Sequence, residues 1–234
     1  SLLNKTKISI SNDDTRHYLN GIFLHQTNSE NKLYLTGVAT DSHRLSSNSV
    51  EIPKETEFTS LILPKKTVFQ LCNLLQEANE KVKIQSSDTK IKFEINKTKL
   101  ISKVIDGKFP DYRKVVPTNN DKALTLSTKD FIESIERVTT VSLDRKEGVK
   151  LIINKNNVKL SVNSTSSGEG NEVIKANYNS DELTISFNSK YLIDIASVID
   201  DKNFKMNLKD AASPVLIEDK SDKNSYYVIM PMKI

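Results

Sequence analysis

Leu63-Pro64-Lys65-Lys66-Thr67-Val68-Phe69-Gln70-Leu71 decides how the 234-residue chain is read. Leu61, Ile62 and Leu63 make a short strand signal, and Pro64 suits the first turn of a helix. Val68, Leu71, Cys72 and Leu75 then recur at helical spacing, while Lys65, Lys66, Asn73 and Gln76 take the other faces. The same passage from strand to helix returns 124 positions later, in Phe187-Asn188-Ser189-Lys190-Tyr191-Leu192-Ile193-Asp194-Ile195. There Asn188 is placed to cap a helix that carries Tyr191, Leu192, Ile195, Val198 and Ile199 inside. Gly21-Ile22-Phe23-Leu24 returns as Gly148-Val149-Lys150-Leu151 at nearly the same offset. Recurrence at a fixed offset marks an internal repeat. Each copy is strand-rich with two helices, so the expected fold is α+β: a domain with antiparallel sheet, used twice, over residues 1–116 and 117–234.

The rest of the chain fills in around those anchors. Leu33 and Leu35 alternate with polar residues toward a turn at Thr40-Asp41-Ser42. Short strands are expected over Val82–Ile84, Ile91–Ile95 and Leu100–Ile105. Leu2, Leu3, Lys5, Lys7 and Ile10 read as what remains of the first copy's opening helix. Its counterpart opens at Ser127-Thr128-Lys129-Asp130, a capping box, with Phe131, Ile132, Ile135 and Val138 on its apolar face. Val149-Leu151-Ile153 and Val158-Leu160-Val162 read as a hairpin turning at Asn156-Asn157, followed by a polar loop from Ser164 to Gly170.

Between the copies lies Gly107-Lys108-Phe109-Pro110-Asp111-Tyr112-Arg113-Lys114-Val115-Val116-Pro117. Two prolines forbid a regular helix, and Phe109, Tyr112, Val115 and Val116 are too apolar for a slack linker. The segment reads as a strap lying on the domains it joins, and as a plausible wall of a binding groove.

Composition narrows the function classes. Hydrophobic residues make up 37% and charged residues 27%, enough for real cores and unlike a disordered chain. No apolar run approaches the length of a membrane helix, and nothing at the start resembles a signal peptide. The first residue is not Met, which suggests a fragment or a processed chain. Cys72 is the single cysteine, so no internal disulfide forms, and a reducing cytoplasmic setting is expected. Net charge is +4, unevenly spread: residues 1–117 hold 18 Lys/Arg and 13 Asp/Glu, the remainder 16 and 17. A mild excess fits loose polyanion contact rather than sequence-specific DNA reading.

Catalytic patterns are missing. Asp41-Ser42-His43-Arg44 suggests a hydrolase, but a triad needs side chains converging from separate places. His17, His25 and His43 with one cysteine give no metal-ligand spacing, and the glycines form no phosphate-cradling loop, so no metal and no cofactor are expected. What remains is surface. Lys5 and Lys7, Lys65 and Lys66, Lys129 and Arg137, and Lys190 fall on the polar faces of the four expected helices, at matching places in the repeat. The last residues, Tyr227 to Ile234, are apolar to the end. Tyr227 to Ile229 suit a final strand, and Pro231 frees Met232 to Ile234 to line something.

Three segments carry a family resemblance: Val38-Ala39-Thr40-Asp41-Ser42-His43-Arg44-Leu45, Gly107 to Arg113, and Val228-Ile229-Met230-Pro231-Met232-Lys233-Ile234. Arg16 to Gly21 adds a fourth. In order and spacing they resemble the signatures of the bacterial sliding clamp, the beta subunit of DNA polymerase III, and they cover the whole chain as the second and third of its three domains. Two positions depart from the pattern. Ser42 stands where Gly is common, so a positive φ there is strained. Lys233 stands where Arg is common.

The resemblance implies domains in a closed ring around duplex DNA, with helices lining the hole and sheets outside. It implies a replication processivity factor without catalytic activity. Its partners are duplex DNA, held without sequence preference, and replicative and repair polymerases, the clamp loader and other proteins bearing a clamp-binding peptide. That peptide is short and extended, with a Gln and apolar side chains. It enters a hydrophobic pocket between the second and third domains. Matched by position, the pocket uses Leu19, Thr40, His43, Arg44 and Leu45 from the first copy. The connector adds Pro110, Lys114 and Val115, and the second copy adds Asn188, Tyr191, Val228, Met230, Pro231 and Met232. Lys5, Lys7, Lys65, Lys66, Lys129, Arg137 and Lys190 become the DNA-facing charges. The full-length ring is a homodimer closed head to tail, so residues 1–234 alone are expected to be monomeric. Two other readings compete: a two-domain clamp closing as a trimer, and a generic peptide-binding scaffold without DNA. A hydrolase using Ser42 and His43 comes last.

Overall fold

A computed structural model of the chain describes residues 1–78, 81–141, 148–164 and 168–233. The chain divides into two units, Ser1–Asp111 and Tyr112–Ile234.

The first unit opens with α1 (Leu2–Thr6), which tightens into a 3-10 turn at Lys7–Ser9. A second 3-10 stretch, Asp14–Leu19, leads into β1 (Gly21–Ser29), β2 (Lys32–Thr40) and β3 (Arg44–Ile52). β4 (Leu61–Pro64) runs directly into α2 (Lys65–Gln76). These four strands pair antiparallel in the order β3-β2-β1-β4. A three-stranded sheet follows: β5 (Lys83–Ser86), β6 (Lys90–Ile95) and β7 (Thr98–Lys103). Ile22, Leu24, Leu63, Val68, Leu71 and Phe93 belong to the core that joins sheet to helix. The β1–β2 hairpin turns on Glu30-Asn31, both at positive φ (50° and 61°), the hand that matches the twist of the paired strands. Pro64 differs from its expected place in the first helical turn. It sits one residue earlier, extended at φ −61° and ψ 145°, as the last residue of β4.

The second unit holds β8 (Lys122–Ser127), α3 (Thr128–Val138), β9 (Gly148–Asn154), β10 (Asn157–Ser164) and β11 (Gly168–Tyr178). β12 (Leu183–Asn188) then feeds α4 (Ser189–Ala196), and β13 (Asn203–Leu208), β14 (Val215–Asp219) and β15 (Ser225–Ile229) close the unit. Strand order is β12-β9-β10-β11-β8-β13-β14-β15. Ser127 caps α3 by accepting from the Asp130 amide at 3.3 Å, and Asn188 caps α4 by accepting from the Tyr191 amide at 3.3 Å. Phe131 and Phe204, from α3 and β13, meet in the core with ring centroids 5.2 Å apart.

Register shows that the repeat is physical. Gly21 faces Pro64 and Ile22 faces Leu63 where β1 meets β4; Gly148 faces Asn188 and Val149 faces Phe187 where β9 meets β12. Each unit thus feeds a helix from a strand paired to the first strand of its own hairpin. Gly21 is needed for this approach, because a Cβ there would lie 2.2 Å from the Leu63 carbonyl oxygen. Gly21→Ala is therefore expected to force β1 and β4 apart and cost about 3 kcal/mol, read as a lower denaturant midpoint.

Three local expectations need correction. The β9–β10 hairpin turns on Lys155-Asn156, not Asn156-Asn157, since Asn157 already pairs with Asn154; Asn156 takes the positive φ (67°), which asparagine tolerates. Gly168, Glu169 and Gly170, expected in a polar loop, begin β11, whose backbone pairs with β10; residues 165–167 of that loop lie outside the described residues. Val198 and Ile199 lie beyond the end of α4 at Ala196, although Ile199 remains buried.

Candidate peptide-binding and DNA-facing surfaces

In the first unit, the side chains of Thr40, Asp41 and Arg44 fix the turn between β2 and β3. Asp41 Oδ1 accepts from the amides of His43 and Arg44, both at 3.0 Å, and Asp41 Oδ2 accepts from Arg44 Nε at 3.0 Å. The Thr40 hydroxyl donates to the Arg44 carbonyl at 2.7 Å and accepts from the Ser42 amide at 3.1 Å. Arg44 and Leu45 are buried, whereas His43 is exposed. Ser42 sits at φ 77°, so the strain expected from a serine at this position is present. Its hydroxyl accepts from Arg16 Nη1, a group that cannot take a proton. The Asp41-Ser42-His43-Arg44 run is a braced turn, and the hydrogen bond described for its serine hydroxyl comes from a guanidinium.

The brace extends into the 3-10 stretch. Arg16 Nε donates to Asp13 Oδ2 at 2.8 Å. The Thr15 hydroxyl, then the Arg16 guanidinium, hold the Asp13 carboxyl down at about 2. Leu19 is buried, and its carbonyl accepts from the Ser11 amide at 3.1 Å. The connector behaves as a strap on this unit: Phe109 stacks on Phe23 (5.0 Å, 8°), which stacks on His25 (4.7 Å, 23°). Pro110 stays exposed.

In the second unit, Tyr112–Val115 forms a 3-10 turn that buries Tyr112 and leaves Lys114 and Val115 exposed. β15 ends at Ile229, one residue before Met230, as expected ahead of Pro231. The tail beyond is not loose. The Met232 amide donates to the Ser186 carbonyl at 2.7 Å, which lays Met230-Pro231-Met232 beside the end of β12, two residues before Asn188. Met230 and Met232 remain 39% and 38% exposed, Pro231 and Tyr191 are half-buried, and Val228 is buried. Met230 and Met232 thus leave apolar side chains facing water just beyond the end of β15. Ser186 carried no sequence signal, because its part is played by its carbonyl.

The basic helix faces divide more sharply than the sequence suggests. Lys5 is only 4% exposed: Leu2, Lys5 and Thr6 share the inward face of α1, so Lys5 leaves the set of DNA-facing charges. In the second unit every expected cation has a carboxylate. Lys129 lies 3.7 Å from Glu133, Lys190 lies 2.6 Å from Asp194, and Arg137 pairs with Glu133 and with Glu172 at 2.6 Å. Glu172 raises the Arg137 pKa, and Arg137 lowers that of Glu172. In the first unit Lys7 and Lys65 meet only the amide oxygens of Asn4 and Asn12 and the ring of Phe69. Lys66 is exposed. Among the described residues no carboxylate pairs with these three, so the usable positive charge lies on α2 and the turn after α1.

Among the described residues no group of three or more His, Cys, Asp or Glu is placed to hold a metal ion, and no helix is long and apolar enough to cross a membrane. Burial raises the Cys72 thiol above its ordinary range, which makes it a poor nucleophile.

Comparison with known proteins agrees with this architecture. Residues 1–111 match the family model described as the DNA polymerase III beta subunit, central domain, and residues 113–233 match its C-terminal domain. The beta sliding clamp of Caulobacter vibrioides is 36% identical over 234 residues, and that of Escherichia coli K12 is 33% identical over 233; each alignment covers the whole chain and 63% of the relative. The chain thus spans under two thirds of the length of these relatives. A solved Caulobacter crescentus beta sliding clamp superposes with a TM-score of 0.97 at 36% identity, covering 100% of this chain and 62% of that one. A Bartonella birtlesii sliding clamp solved bound to griselimycin gives 0.95 at 40% identity, covering 100% and 63%. The chain belongs to the DNA polymerase III beta subunit family, with that family's central domain over residues 1–111 and its C-terminal domain over residues 113–233.

Proposed function

We propose that residues 1–234 form two domains of a DNA polymerase processivity factor, part of a ring around duplex DNA that tethers polymerases and repair proteins by a short extended peptide. The observation that carries this reading is the ordered apolar tail, Met230-Pro231-Met232, held by the Met232–Ser186 hydrogen bond with its methionines exposed. In the second unit the peptide's apolar side chains meet that tail with Tyr191, Asn188 and Val228. In the first unit the braced turn at Thr40, His43 and Arg44, with Leu19 and Leu45 buried, offers polar contacts to a peptide. Pro110, Lys114 and Val115 add contacts from the connector. The protein contributes binding and no bond-making chemistry, and it works in the cytoplasm.

Ring closure is assigned to β11. Residues 168–175 pair with one strand, β10, among the described residues, and Val173 on that strand is 62% exposed. An open edge with an apolar residue suits a different patch of another subunit. Residues 1–234 alone are expected to be monomeric, which light scattering at tens of micromolar tests.

DNA contact is loose and blind to sequence, because it is made by amines to phosphates. Lys65→Glu with Lys66→Glu is expected to weaken duplex binding and to reduce the slope of log affinity against log salt by about 2. Lys129→Glu with Lys190→Glu is expected to do less, since those amines already face carboxylates. Anisotropy across a salt series with two unrelated duplexes tests this. A strong preference for one duplex overturns the clamp reading.

A further inference from the structure

Of the eight phenylalanines, Phe69 is the one left exposed, at 44%. It stands on α2 one turn after Lys65, and the amines of Lys7 and Lys65 lie 5.6 and 5.9 Å from its ring centroid. These are cation–π distances. Lys66, three residues before Phe69, is exposed on the same helix. Neither Lys7 nor Lys65 has a carboxylate partner among the described residues, so a phosphate displaces only an amide oxygen. The ring therefore presents an exposed aromatic surface with two amines over it.

A duplex has little use for that surface. Its bases are stacked on one another, and its outside is phosphate and sugar. A single strand offers both halves of the match: an unstacked base for the ring and flanking phosphates for the amines. We propose that Phe69, with Lys7, Lys65 and Lys66 around it, is a stacking site for an unpaired base of single-stranded nucleic acid. Such a site lets the α2 face hold a strand at a gap or junction as well as slide over duplex. The inference rests on α2 facing nucleic acid, as argued above, but its test separates the two.

The chain has no tryptophan, so Phe69→Trp installs a single reporter at the site. A thymidine oligonucleotide should quench its fluorescence, and an abasic oligonucleotide of the same length should not. In anisotropy titrations Phe69→Leu should weaken thymidine-oligonucleotide binding about 5- to 10-fold, consistent with the loss of one base stack. Phe69→Tyr should restore it, and duplex and abasic affinities should stay within about twofold. An equal loss toward the abasic strand would mean that the ring only positions the lysines, and the inference fails while duplex binding stands. No loss at all toward the thymidine strand also overturns it. Loss of all nucleic-acid binding in Lys65→Glu/Lys66→Glu, with Phe69→Leu silent, would support the DNA-facing reading alone.

Discussion

Ending the chain at Ile229 is expected to take peptide binding from micromolar to beyond the millimolar range while leaving both units folded. A micromolar site corresponds to about 8 kcal/mol and a millimolar one to about 4, so the tail must supply about half of the binding energy. Met230 and Met232 can do so because they are ordered and exposed before any peptide arrives. The Met232 backbone is already held by its bond to Ser186, which removes part of the ordering cost of binding. The fold loses little by comparison: one backbone hydrogen bond, Met232 to Ser186, worth about 1 kcal/mol. Calorimetry with a Gln-containing peptide ending in Leu or Phe measures the loss, and a denaturation curve on the same sample shows that the units survive. Unchanged affinity in the truncated chain removes the tail from the site.

Asp41→Ala is expected to be the most damaging single change in the first unit's turn, costing about 3 kcal/mol. The Asp41 and Arg44 side chains are 13% and 7% exposed, so the pair is shielded from water and salt. Three donors converge on the one carboxylate: two amides and the Arg44 guanidinium. Its removal leaves two amides needing new partners and a buried cation without this counter-charge. Asp41→Asn keeps one acceptor oxygen and is expected to cost about half as much. Urea unfolding reads the stability, and peptide titration of the surviving folded fraction reads how far His43 and Arg44 have moved. A midpoint unchanged within error in Asp41→Ala would mean that the turn is set by β2–β3 pairing alone.

Much of this was legible because the signals are local. The passage Leu63-Pro64-Lys65 into a helix, and its return at Phe187-Asn188-Ser189, depend on neighbours in sequence, and the β1–β4 and β9–β12 registers place both where the repeat puts them. The Ser127 and Asn188 caps are legible for the same reason. Lys5 shows the limit of reading charge without face: helical spacing alone puts it beside Leu2, on the buried side. The pairs Lys129–Glu133, Glu133–Arg137 and Lys190–Asp194 all have i, i+4 spacing, so the near-neutrality of the second unit's helices was available in the sequence. Phe204, Met206 and Leu208 likewise alternate as a strand should, and β13 needs no more than that.

Other features were out of reach. Arg16 bonds to Ser42 across 26 positions and Arg137 to Glu172 across 35, and no local pattern reports such meetings. Ser186 matters through its carbonyl, which every residue has. β11 begins with Gly168-Glu169-Gly170, residues that favour loops and are held in the sheet by pairing with β10.

The proposed function requires a ready-made site for a short extended peptide on this chain. Isothermal titration of the intact chain with a six-residue peptide bearing a Gln and a Leu-Phe end, run against the same peptide with Gln and Phe changed to Ala, tests it most directly. One site of micromolar affinity is expected for the first peptide, and no measurable heat from the second. Equal binding of both peptides, or no binding of either by a chain shown to be folded, would contradict it.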